Sequence, residues 1–263
     1  MALRVAVSGT GNMGRLILRA LEDAPDLEVV GVLELYSSGD RYTLPSGAGV
    51  PLRQAVDRIR DLQAEVVVDF TNAAWTEQLL PAAIAAGVHP VIGTSGLSEA
   101  LVAQAEAACA QAKLGGVIAP NFALGAVLLM HLARIAAPFF DAAEVIELHH
   151  AGKVDAPSGT AIATARAMRA ARDRDFDRNV AEQESLSHAR GAELGGVSLH
   201  AVRLPGLVAH QAVLFGGVGE TLTLRHDTLN RESFLPGVMH AVRTAPQLDH
   251  LVVGLDRVLG LTD

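Results

Sequence analysis

Short apolar runs alternate with amphipathic stretches through the first half of the chain. Each run is bounded by turn residues, which is typical of buried strands, and the longer stretches carry apolar residues at helical spacing. The pattern predicts strands at 4–8, 27–35, 65–70, 89–92 and 116–119, and helices at 15–22, 74–86 and 98–112. This regular alternation of strand and helix predicts an α/β fold with a doubly wound parallel sheet.

The pattern changes in the second half of the chain. It predicts strands at 143–148, 197–203, 209–215 and 220–227, and helices at 123–140, 160–171 and 234–261, the last interrupted by Pro246. The polar stretch 172–196 has little periodicity, and we expect a mobile loop there. The later strands alternate apolar and polar positions, which predicts an α+β domain with an open mixed sheet.

Two observations bear on the location of the protein. The long apolar stretch 123–140 contains His131, Arg134 and Pro138, so we interpret it as a core helix and expect no membrane span. The chain runs from Met1 directly into a strand, and we therefore expect no signal peptide and a cytoplasmic location.

Length, charge and cysteine content limit the class of protein further. A chain of 263 residues can form one or two domains with sizeable cores. The formal net charge is −8 and no run of Lys or Arg occurs, which excludes a general nucleic-acid-binding protein. An anionic substrate would therefore need a local cationic pocket. Cys109 is the single cysteine, which excludes an intramolecular disulfide and a Cys-based zinc cluster.

A glycine-rich turn follows the first predicted strand. Gly9, Gly11 and Gly14 give the pattern Gly-x-Gly-x-x-Gly between a strand and a helix, which is typical of a turn that holds the pyrophosphate of a dinucleotide. Glu34 ends the next predicted strand, about twenty residues later, where such folds place an acid on the adenosine ribose. The combination predicts a nicotinamide cofactor.

The surroundings of Glu34 bear on which nicotinamide cofactor is used. A carboxylate that accepts hydrogen bonds from both ribose hydroxyls disfavours the additional phosphate of NADPH. Leu35 adds no positive charge to offset that repulsion, although Arg15 or Arg41 could come close in the fold. The residues therefore favour NADH.

Two further loops follow predicted strands, at the sheet edge where open α/β sheets bind ligands. Residues 93–96 have an alternative interpretation as a plain capping turn before the helix, with Ser98 as its N-cap. Residues 119–122 could lie over the nicotinamide or act as a hinge between domains. With the glycine loop, they complete the predicted cofactor-binding set: Ser8, Gly9, Thr10, Gly11, Asn12, Met13, Gly14, Glu34, Gly93, Thr94, Ser95, Ala119, Pro120, Asn121 and Phe122.

The segment 147–160 places two imidazoles and an ammonium beside a predicted helix start. It reads Glu-Leu-His-His-Ala-Gly-Lys-Val-Asp-Ala-Pro-Ser-Gly-Thr. Successive strand side chains point to opposite faces, so His149 and His150 cannot play the same role. Ser158 is the predicted N-cap of the next helix, and the free amide groups that follow it suit a carboxylate or phosphate. With Lys153 upstream, the segment is predicted to hold an anionic small molecule beside a proton donor.

Zinc binding is an alternative use of the histidines. His200, His210 and His226 lie on later predicted strands. A zinc site usually draws its ligands from short spacings in the sequence, and no such spacing occurs here. We therefore expect no metal.

The sequence resembles the 4-hydroxy-tetrahydrodipicolinate reductase family, formerly called the dihydrodipicolinate reductases, over essentially the whole chain. The resemblance rests on the glycine loop, on Gly93-Thr-Ser-Gly96, on Ala119-Pro-Asn-Phe122, on 202–211 and above all on 149–160. It implies a Rossmann-like dinucleotide-binding domain at 1–120, with a C-terminal helix at about 235–263 that packs back on it. It also implies a substrate-binding domain at 121–234, through which four subunits associate as a homotetramer.

The resemblance implies an activity as well. This is hydride transfer from NADH or NADPH to a cyclic imine dicarboxylate, 4-hydroxy-tetrahydrodipicolinate, in diaminopimelate and lysine biosynthesis. His149 is implied as the catalytic acid/base and Lys153 as the proton donor. The implied substrate-binding residues are His150, Ser158, Gly159 and Thr160.

Two positions depart from the family pattern, and two other functions remain as alternatives. The first loop glycine is Gly9, where family members often have glycine at the position of Ser8, and Leu35 replaces the basic residue frequent in NADPH users. One alternative is a related two-domain amino-acid dehydrogenase. The other is a non-catalytic nicotinamide-binding protein, for which the glycine loop would suffice.

Overall fold

The structure is a computed structural model that describes residues 1–178, 180 and 182–261. Contacts divide the chain into unit 1, which is Met1–Ala123 with the segment that begins at Phe234, and unit 2, which is Leu124–Ser233. The strands in chain order are β1 (Leu3–Ser8), β2 (Leu27–Leu33), β3 (Arg41–Thr43), β4 (Gly49–Arg53), β5 (Val66–Asp69), β6 (His89–Ile92), β7 (Gly116–Ile118), β8 (Ala142–His149), β9 (Ala192–Leu194), β10 (Val197–Arg203), β11 (Ala209–Gly217), β12 (Glu220–Thr228) and β13 (Leu251–Val253). The helices are α1 (Asn12–Glu22), α2 (Ala73–Ala85), α3 (Glu99–Ala112), α4 (Leu124–Ala136), α5 (Gly159–Ala170), α6 (Leu235–Thr244) and α7 (Leu255–Val258), and short 3₁₀ segments lie at Val56–Leu62, Ala137–Phe139, Arg231–Phe234 and Ala245–Gln247.

The sheet of unit 1 has the strand order β13-β7-β6-β5-β1-β2-β4-β3. Its neighbouring strands pair in parallel, except that β3 and β4 form an antiparallel hairpin. The direction of winding reverses between β1 and β5, and the carboxyl ends of such strands form the crevice where these sheets bind ligands. The predicted doubly wound parallel sheet is therefore confirmed.

The strands of unit 1 read as continuous apolar runs because both of their faces are covered. The central valines of β1 and β5, such as Val7 and Val67, have no exposed surface. Helix α1 begins directly after the glycine loop and buries Ile17, Leu18 and Leu21. Removing each such side chain from water contributes roughly 1.5–3 kcal/mol, so this core holds the glycine loop on a rigid frame.

The sheet of unit 2 has the order β12-β11-β8-β10-β9, with β8 parallel to β10 and the other pairs antiparallel. The predicted mixed sheet is therefore confirmed. One face packs against α4 and α5, where Val145, Val213 and Phe215 from the strands meet Met168 of α5. This core fixes where β8 ends and where α5 begins, and those two points carry the segment 147–160.

Helix α4 differs in part from the predicted core helix at 123–140. It ends at Ala136, before the 3₁₀ segment that contains Pro138. Ala133 is fully buried on one side, but Leu128, Leu132 and Ile135 on the other side are 42%, 46% and 49% exposed. Within the described residues, no helix is long and apolar enough to cross a membrane.

The C-terminal segment corrects the prediction of one interrupted helix at 234–261. It forms α6 and α7, but Leu251–Val253 between them is strand β13 and pairs in parallel with β7. Periodicity cannot distinguish a run of three apolar residues from part of a helix, which is why the strand was missed. The short strands β3 and β4 were missed because neither is an apolar run: β3 is Arg-Tyr-Thr, and β4 contains Gly49 and Pro51, residues that argue against a strand. Pro246 does interrupt the helical pattern, because α6 ends at Thr244.

The polar stretch 172–196 is also not entirely a loop. Ala192–Leu194 forms β9 and pairs antiparallel with β10. Gly195 and Gly196 join the two strands with φ of +60° and +82°, which a tight two-residue hairpin turn requires and glycine adopts without strain. Residues 179 and 181 of the predicted loop lie outside the described residues.

Candidate active site

The carboxyl end of β8 presents a histidine beside a buried carboxylate. Strand side chains alternate, so Val145, Glu147 and His149 share the face that packs against the helices of unit 2. His149 Nδ1 lies 2.6 Å from Glu147 Oε2. His150 follows the end of the strand and is exposed. The two adjacent histidines therefore have different surroundings.

Glu147 joins three segments of unit 2. Only 1% of its surface is exposed. Arg203 donates to both carboxylate oxygens at 2.7 Å, and the backbone NH of Ser158 donates to Oε1 at 3.0 Å. Arg203 also donates to the carbonyl of Asp155 at 2.7 Å. We call Glu147, His149, Ser158 and Arg203 the Glu147 cluster, which ties the ends of β8 and β10 to the start of α5.

The electrostatics of this cluster keep Glu147 charged and favour neutral His149. Burial would raise the pKa of Glu147, but the hydrogen bonds from Arg203, His149 and the Ser158 NH outweigh it and hold the pKa below its ordinary value. Burial lowers the pKa of His149, and the positive charges of Lys153 and Arg203 add to this effect. The bond to Glu147 opposes the lowering only in part. His149 therefore presents a neutral imidazole near pH 7.

Lys153 lies in the loop between β8 and α5. Its Nζ donates to Asp155 Oδ1 at 2.7 Å, and its backbone NH donates to the carbonyl of His150 at 3.1 Å. The hydrogen bond from Lys153 is the main reason that the pKa of Asp155 lies below its ordinary value. Asp155 is exposed, and an exposed ion pair contributes little net stability. The ammonium can therefore exchange this carboxylate for one on a ligand at low cost.

Helix α5 begins beside Lys153. Ser158 is its N-cap, as predicted, and its Oγ accepts from the backbone NH of Ala161 at 3.2 Å. The preceding Ala156–Pro157 peptide bond is cis. A Cβ built on Gly159 would meet no atom within 4 Å, so the first turn of the helix is open to a ligand on that side. Free amides at a helix start attract anions.

The glycine loop of unit 1 begins where β1 ends. Gly9 has a φ of +84°, a conformation that side chains rarely allow. A Cβ on Gly14 would lie 1.9 Å from the carbonyl oxygen of Gly9, so only glycine permits this tight packing of the loop on α1. The loop therefore has the shape that a pyrophosphate needs for close approach to the helix start.

Glu34 follows β2 and binds this loop. Its Oε2 accepts from the backbone NH and the hydroxyl of Thr10, both at 2.8 Å. Partial burial raises the pKa of Glu34, but these bonds and one from the NH of Tyr36 outweigh it and bring the pKa below its ordinary value. Arg15 donates to the carbonyl of Thr10 at 2.9 Å and so lies beside the loop, whereas Arg41 bonds to Gly49 across its own hairpin.

A second buried carboxylate organises the neighbouring loops of unit 1. Asp69 ends β5, has no exposed surface, and accepts from the hydroxyls of Thr71, Thr76 and Thr94 at 2.8, 2.5 and 2.9 Å. The hydroxyl of Thr94 also accepts from the backbone NH of Thr71 at 3.0 Å. Asp69 thereby holds the turns after β5 and β6 side by side at the crevice.

The other predicted cofactor loops lie at this same edge of unit 1. Residues 93–96 follow β6. Ser98 is the N-cap of α3, as expected from the alternative interpretation of this stretch as a capping turn. A Cβ on Gly93 would clash with the ring of Phe70, which in turn packs on Phe122 with ring centres 5.3 Å apart. Phe122 is 1% exposed, so its ring belongs to the core, whereas Pro120 is exposed and Asn121 is partly exposed.

The three histidines considered as zinc ligands lie apart from this arrangement. His200 bonds to Glu144 and His210 to Asp227, both on the sheet face of unit 2 opposite the helices, whereas His226 lies on the helix side. Among the described residues, no group of three or more His, Cys, Asp or Glu side chains could hold a metal ion.

Sequence reasoning missed several residues that shape these sites. Trp75 lines the pocket beside Glu34, and its indole NH donates to the hydroxyl of Ser8 at 2.7 Å. Thr71 follows a strand, and the rule that strand ends bind ligands could have found it. Glu147 stands two residues before His149, so strand alternation alone places both on one face. Nothing local indicated Arg203, which is distant in sequence.

Comparisons with known proteins identify the family. The N-terminal and C-terminal models of dihydrodipicolinate reductase match residues 3–122 and 125–259. The 4-hydroxy-tetrahydrodipicolinate reductases of Desulfitobacterium hafniense (strain DSM 10664 / DCB-2) and Moorella thermoacetica are 42% and 44% identical, with 98% of each chain covered. The dipicolinate-bound dihydrodipicolinate reductase from Paenisporosarcina sp. TG-14 superimposes with a TM-score of 0.88 at 38% identity, covering 98% of this chain and 99% of that one. The chain therefore belongs to the 4-hydroxy-tetrahydrodipicolinate reductase family.

Proposed function

We propose that this chain catalyses the NAD(P)H-dependent reduction of 4-hydroxy-tetrahydrodipicolinate to tetrahydrodipicolinate in diaminopimelate and lysine biosynthesis. The observation that carries this function is the identity of 42% and 44% to reductases of that name over 98% of both chains. The protein is an NAD(P)H-dependent oxidoreductase. The roles of individual residues are proposals that the geometry supports.

The residues of the glycine loop fit a dinucleotide. The positive φ of Gly9 and the contact that only glycine allows at position 14 bring the loop close to the start of α1, where the N-cap Gly11 makes no side-chain capping bond. We infer that Ser8 to Gly14 hold the pyrophosphate. The adenosine would lie in the pocket that Glu34 and Trp75 line. The turns after β5 and β6, which Asp69 holds together, would border the nicotinamide. When bound, the reduced nicotinamide supplies the hydride.

Unit 2 contains the groups that we propose to bind a dicarboxylate. The relative from Paenisporosarcina binds dipicolinate, a flat ring with two carboxylates, and we propose that this chain binds its substrate as a similar diacid. The amides of Gly159 and Thr160 would hold one carboxylate, and His150 and Lys153 would contact the other. Fixing both ends of the ring orients the imine for attack.

Lys153 and His149 are the residues that we propose for proton transfer. The overall conversion takes up a hydride and a proton and releases the 4-hydroxyl group as water, and the loss of this water leaves the conjugated imine that accepts the hydride. Hydride addition to that imine builds negative charge on the substrate, and an ammonium nearby stabilises that charge. We propose that Lys153 donates the proton and that neutral His149 acts as the acid/base at the end of β8. Its lowered pKa suits that role, because a neutral imidazole can take up a proton near pH 7.

The finer assignments are also proposals. A preference for NADH is supported by Glu34, whose charge would repel the additional phosphate of NADPH, and by the absence of a cation at Leu35. Arg15, which lies beside the loop, is the residue that could offset this repulsion. The dinucleotide-binding role of unit 1, the substrate-binding and oligomerisation role of unit 2, the homotetramer and the cytoplasmic location stay predictions.

One assay tests the function and its alternatives. The freshly generated cyclic imine is mixed with protein and with NADH or NADPH, and the loss of absorbance of the reduced cofactor is followed. We expect turnover that dipicolinate inhibits competitively. Turnover with amino or imino acids but not with the cyclic imine would instead favour an amino-acid dehydrogenase. Cofactor binding without turnover of any imine would favour a non-catalytic nicotinamide-binding protein.

A further inference from the structure

We propose that Glu147 is a positioning residue that fixes the tautomer and the basicity of His149. The proposal rests on the proposed function, since it matters for turnover only if His149 takes part in proton transfer. Its basis is the geometry of the Glu147 cluster in unit 2.

The hydrogen-bond acceptor sites of the Glu147 carboxylate are all occupied by groups of the protein. Its Oε1 accepts from Arg203 and Ser158, and its Oε2 accepts from Arg203 and His149. A carboxylate has about four lone-pair sites in its plane, and four donors occupy them here. Since the side chain is also 99% buried, no site is left for substrate, and Glu147 acts through its partners.

The contact with Glu147 determines which nitrogen of His149 carries the hydrogen. A charged carboxylate only accepts hydrogen bonds, so Nδ1 at 2.6 Å from Oε2 must be the donor. In the neutral ring, Nε2 is then the nitrogen with the free lone pair. The acid/base chemistry of His149 is thereby assigned to Nε2, on the side of the ring away from Glu147.

Arg203 holds both Glu147 and the loop of Lys153 in place. Its two parallel bonds to Glu147 keep the carboxylate charged and immobile, and its third bond, to the carbonyl of Asp155, fixes the loop that carries Lys153. The orientation of His149 and the path of the Lys153 loop therefore depend on the same guanidinium. Arg203 is a second positioning residue under this proposal.

The same strand offers a matched control. Glu144 of β8 also accepts hydrogen bonds from an arginine, Arg190, and from a histidine, His200, but it lies on the opposite face of the sheet. Glutamine at position 144 or at position 147 removes one negative charge from the same strand. In both cases the charge is lost beside an arginine and a histidine. Only Glu147 touches His149.

The experiment compares Glu147→Gln and Glu144→Gln with the wild type. We expect kcat to fall at least about tenfold in Glu147→Gln, with the KM for NADH unchanged, because losing a partner that orients a ligand residue costs about ten- to a hundredfold and losing the carboxylate that sets the tautomer of a catalytic imidazole costs up to about 10⁴-fold. The NMR titration of His149 should move to lower pH, because the carboxylate that favours its charged form is gone. In Glu144→Gln, the kcat, the pH profile and the titration of His149 should match the wild type.

Three results would overturn the proposal. They are an unchanged kcat and His149 titration in Glu147→Gln, an equal loss of kcat in both variants, and a wild-type ¹⁵N spectrum in which His149 carries its hydrogen on Nε2. The last measurement needs no variant, so it decides the matter even if Glu147→Gln does not fold. If the wild type fails to reduce the cyclic imine, the proposed function fails, whereas the tautomer and titration of His149 still test the role of Glu147.

Discussion

Each unit has a buried carboxylate at the edge that is proposed to bind ligand, and the two carboxylates have different kinds of hydrogen-bond partner. In unit 1, Asp69 is held by three threonine hydroxyls, which are neutral donors. In unit 2, Glu147 is held by a guanidinium, an imidazole and an amide. The first network fixes the shape of loops, and the second also sets the charge of a titrating group. We therefore expect pH to act on turnover chiefly through unit 2.

The largest effect should come from the titrating groups of unit 2. We expect Lys153→Met and His149→Gln to lower kcat roughly a hundredfold or more, which is the range for losing a general acid or base, while NADH binding stays nearly intact. Steady-state kinetics and NADH fluorescence titration measure the two quantities. Lys113→Met replaces the chain's other lysine, at the exposed end of α3, and should change neither quantity. Normal turnover in both unit 2 variants would remove the proposed roles.

Substitution of Glu34 in unit 1 should have a smaller effect, and this effect should be on cofactor binding. Glu34→Ala should weaken NADH binding about tenfold with a relative gain for NADPH, because it removes both the ribose acceptor and the negative charge. Glu34→Gln separates the two causes, since the amide oxygen can still accept from a ribose hydroxyl while the charge is lost. The Kd values of both cofactors for each variant provide the test. Equal losses for NADH and NADPH in both variants would contradict the ribose assignment.

The two networks should also differ in stability effects. Thr94→Val removes a neutral donor from Asp69 and leaves the NH of Thr71 without its acceptor, so it should cost about 1–2 kcal/mol of unfolding free energy at pH 7. The pKa of Glu147 is instead below its ordinary value of 4.5, because its hydrogen bonds outweigh the effect of burial. Its stabilising effect is therefore complete above pH 4.5 and is lost as the pH falls through the lower pKa of the folded state.

Urea unfolding measures both effects, at pH 7 for Thr94→Val and at several pH values for Glu147→Gln. The destabilisation of Glu147→Gln relative to the wild type should be constant above pH 4.5 and should shrink in acid below the ordinary pKa of glutamate. A destabilisation that stayed the same as the pH fell well below 4.5 would contradict a charged, hydrogen-bonded Glu147. An unfolding free energy of Thr94→Val equal to that of the wild type would contradict a structural role of the Asp69 network.

The smallest effect should come from the two helix caps. Ser98 and Ser158 each accept from the NH three residues later at 3.2 Å, one on α3 in unit 1 and one on α5 in unit 2. Replacement of either by alanine should cost about 1 kcal/mol of stability. Only Ser158→Ala should also raise the KM of the diacid, since only α5 is proposed to bind it. An equal KM in both variants would argue against the carboxylate cradle.

Much of unit 1 could be predicted because its signals are local. The glycine pattern, the acid after the second strand and the alternation of strand with helix each lie within a short window of sequence. Ser98 and Ser158 were recognised as caps for the same reason. The strand β13 was missed because three apolar residues carry no periodicity, and β9 was missed although Gly195 and Gly196 form a recognised hairpin turn.

The substrate side of the site was predicted only in part. The segment 147–160 indicated where the chemistry lies, but the partner that fixes its geometry, Arg203, is 56 residues from Glu147. Such a contact depends on β10 pairing beside β8, which no local pattern specifies. Strand alternation places Glu147 on the same face as Val145, but a buried charge needs a partner, and that partner could not be predicted locally.

The ion pair between Lys153 and Asp155 has a consequence for ligand selection. Under the proposed function, a dianion would have to displace the Asp155 carboxylate from Lys153. This exchange replaces one ion pair by another, so a ligand held only at Lys153 would gain little from it. We therefore expect the site to favour ligands that are also anchored at a second point, the start of α5.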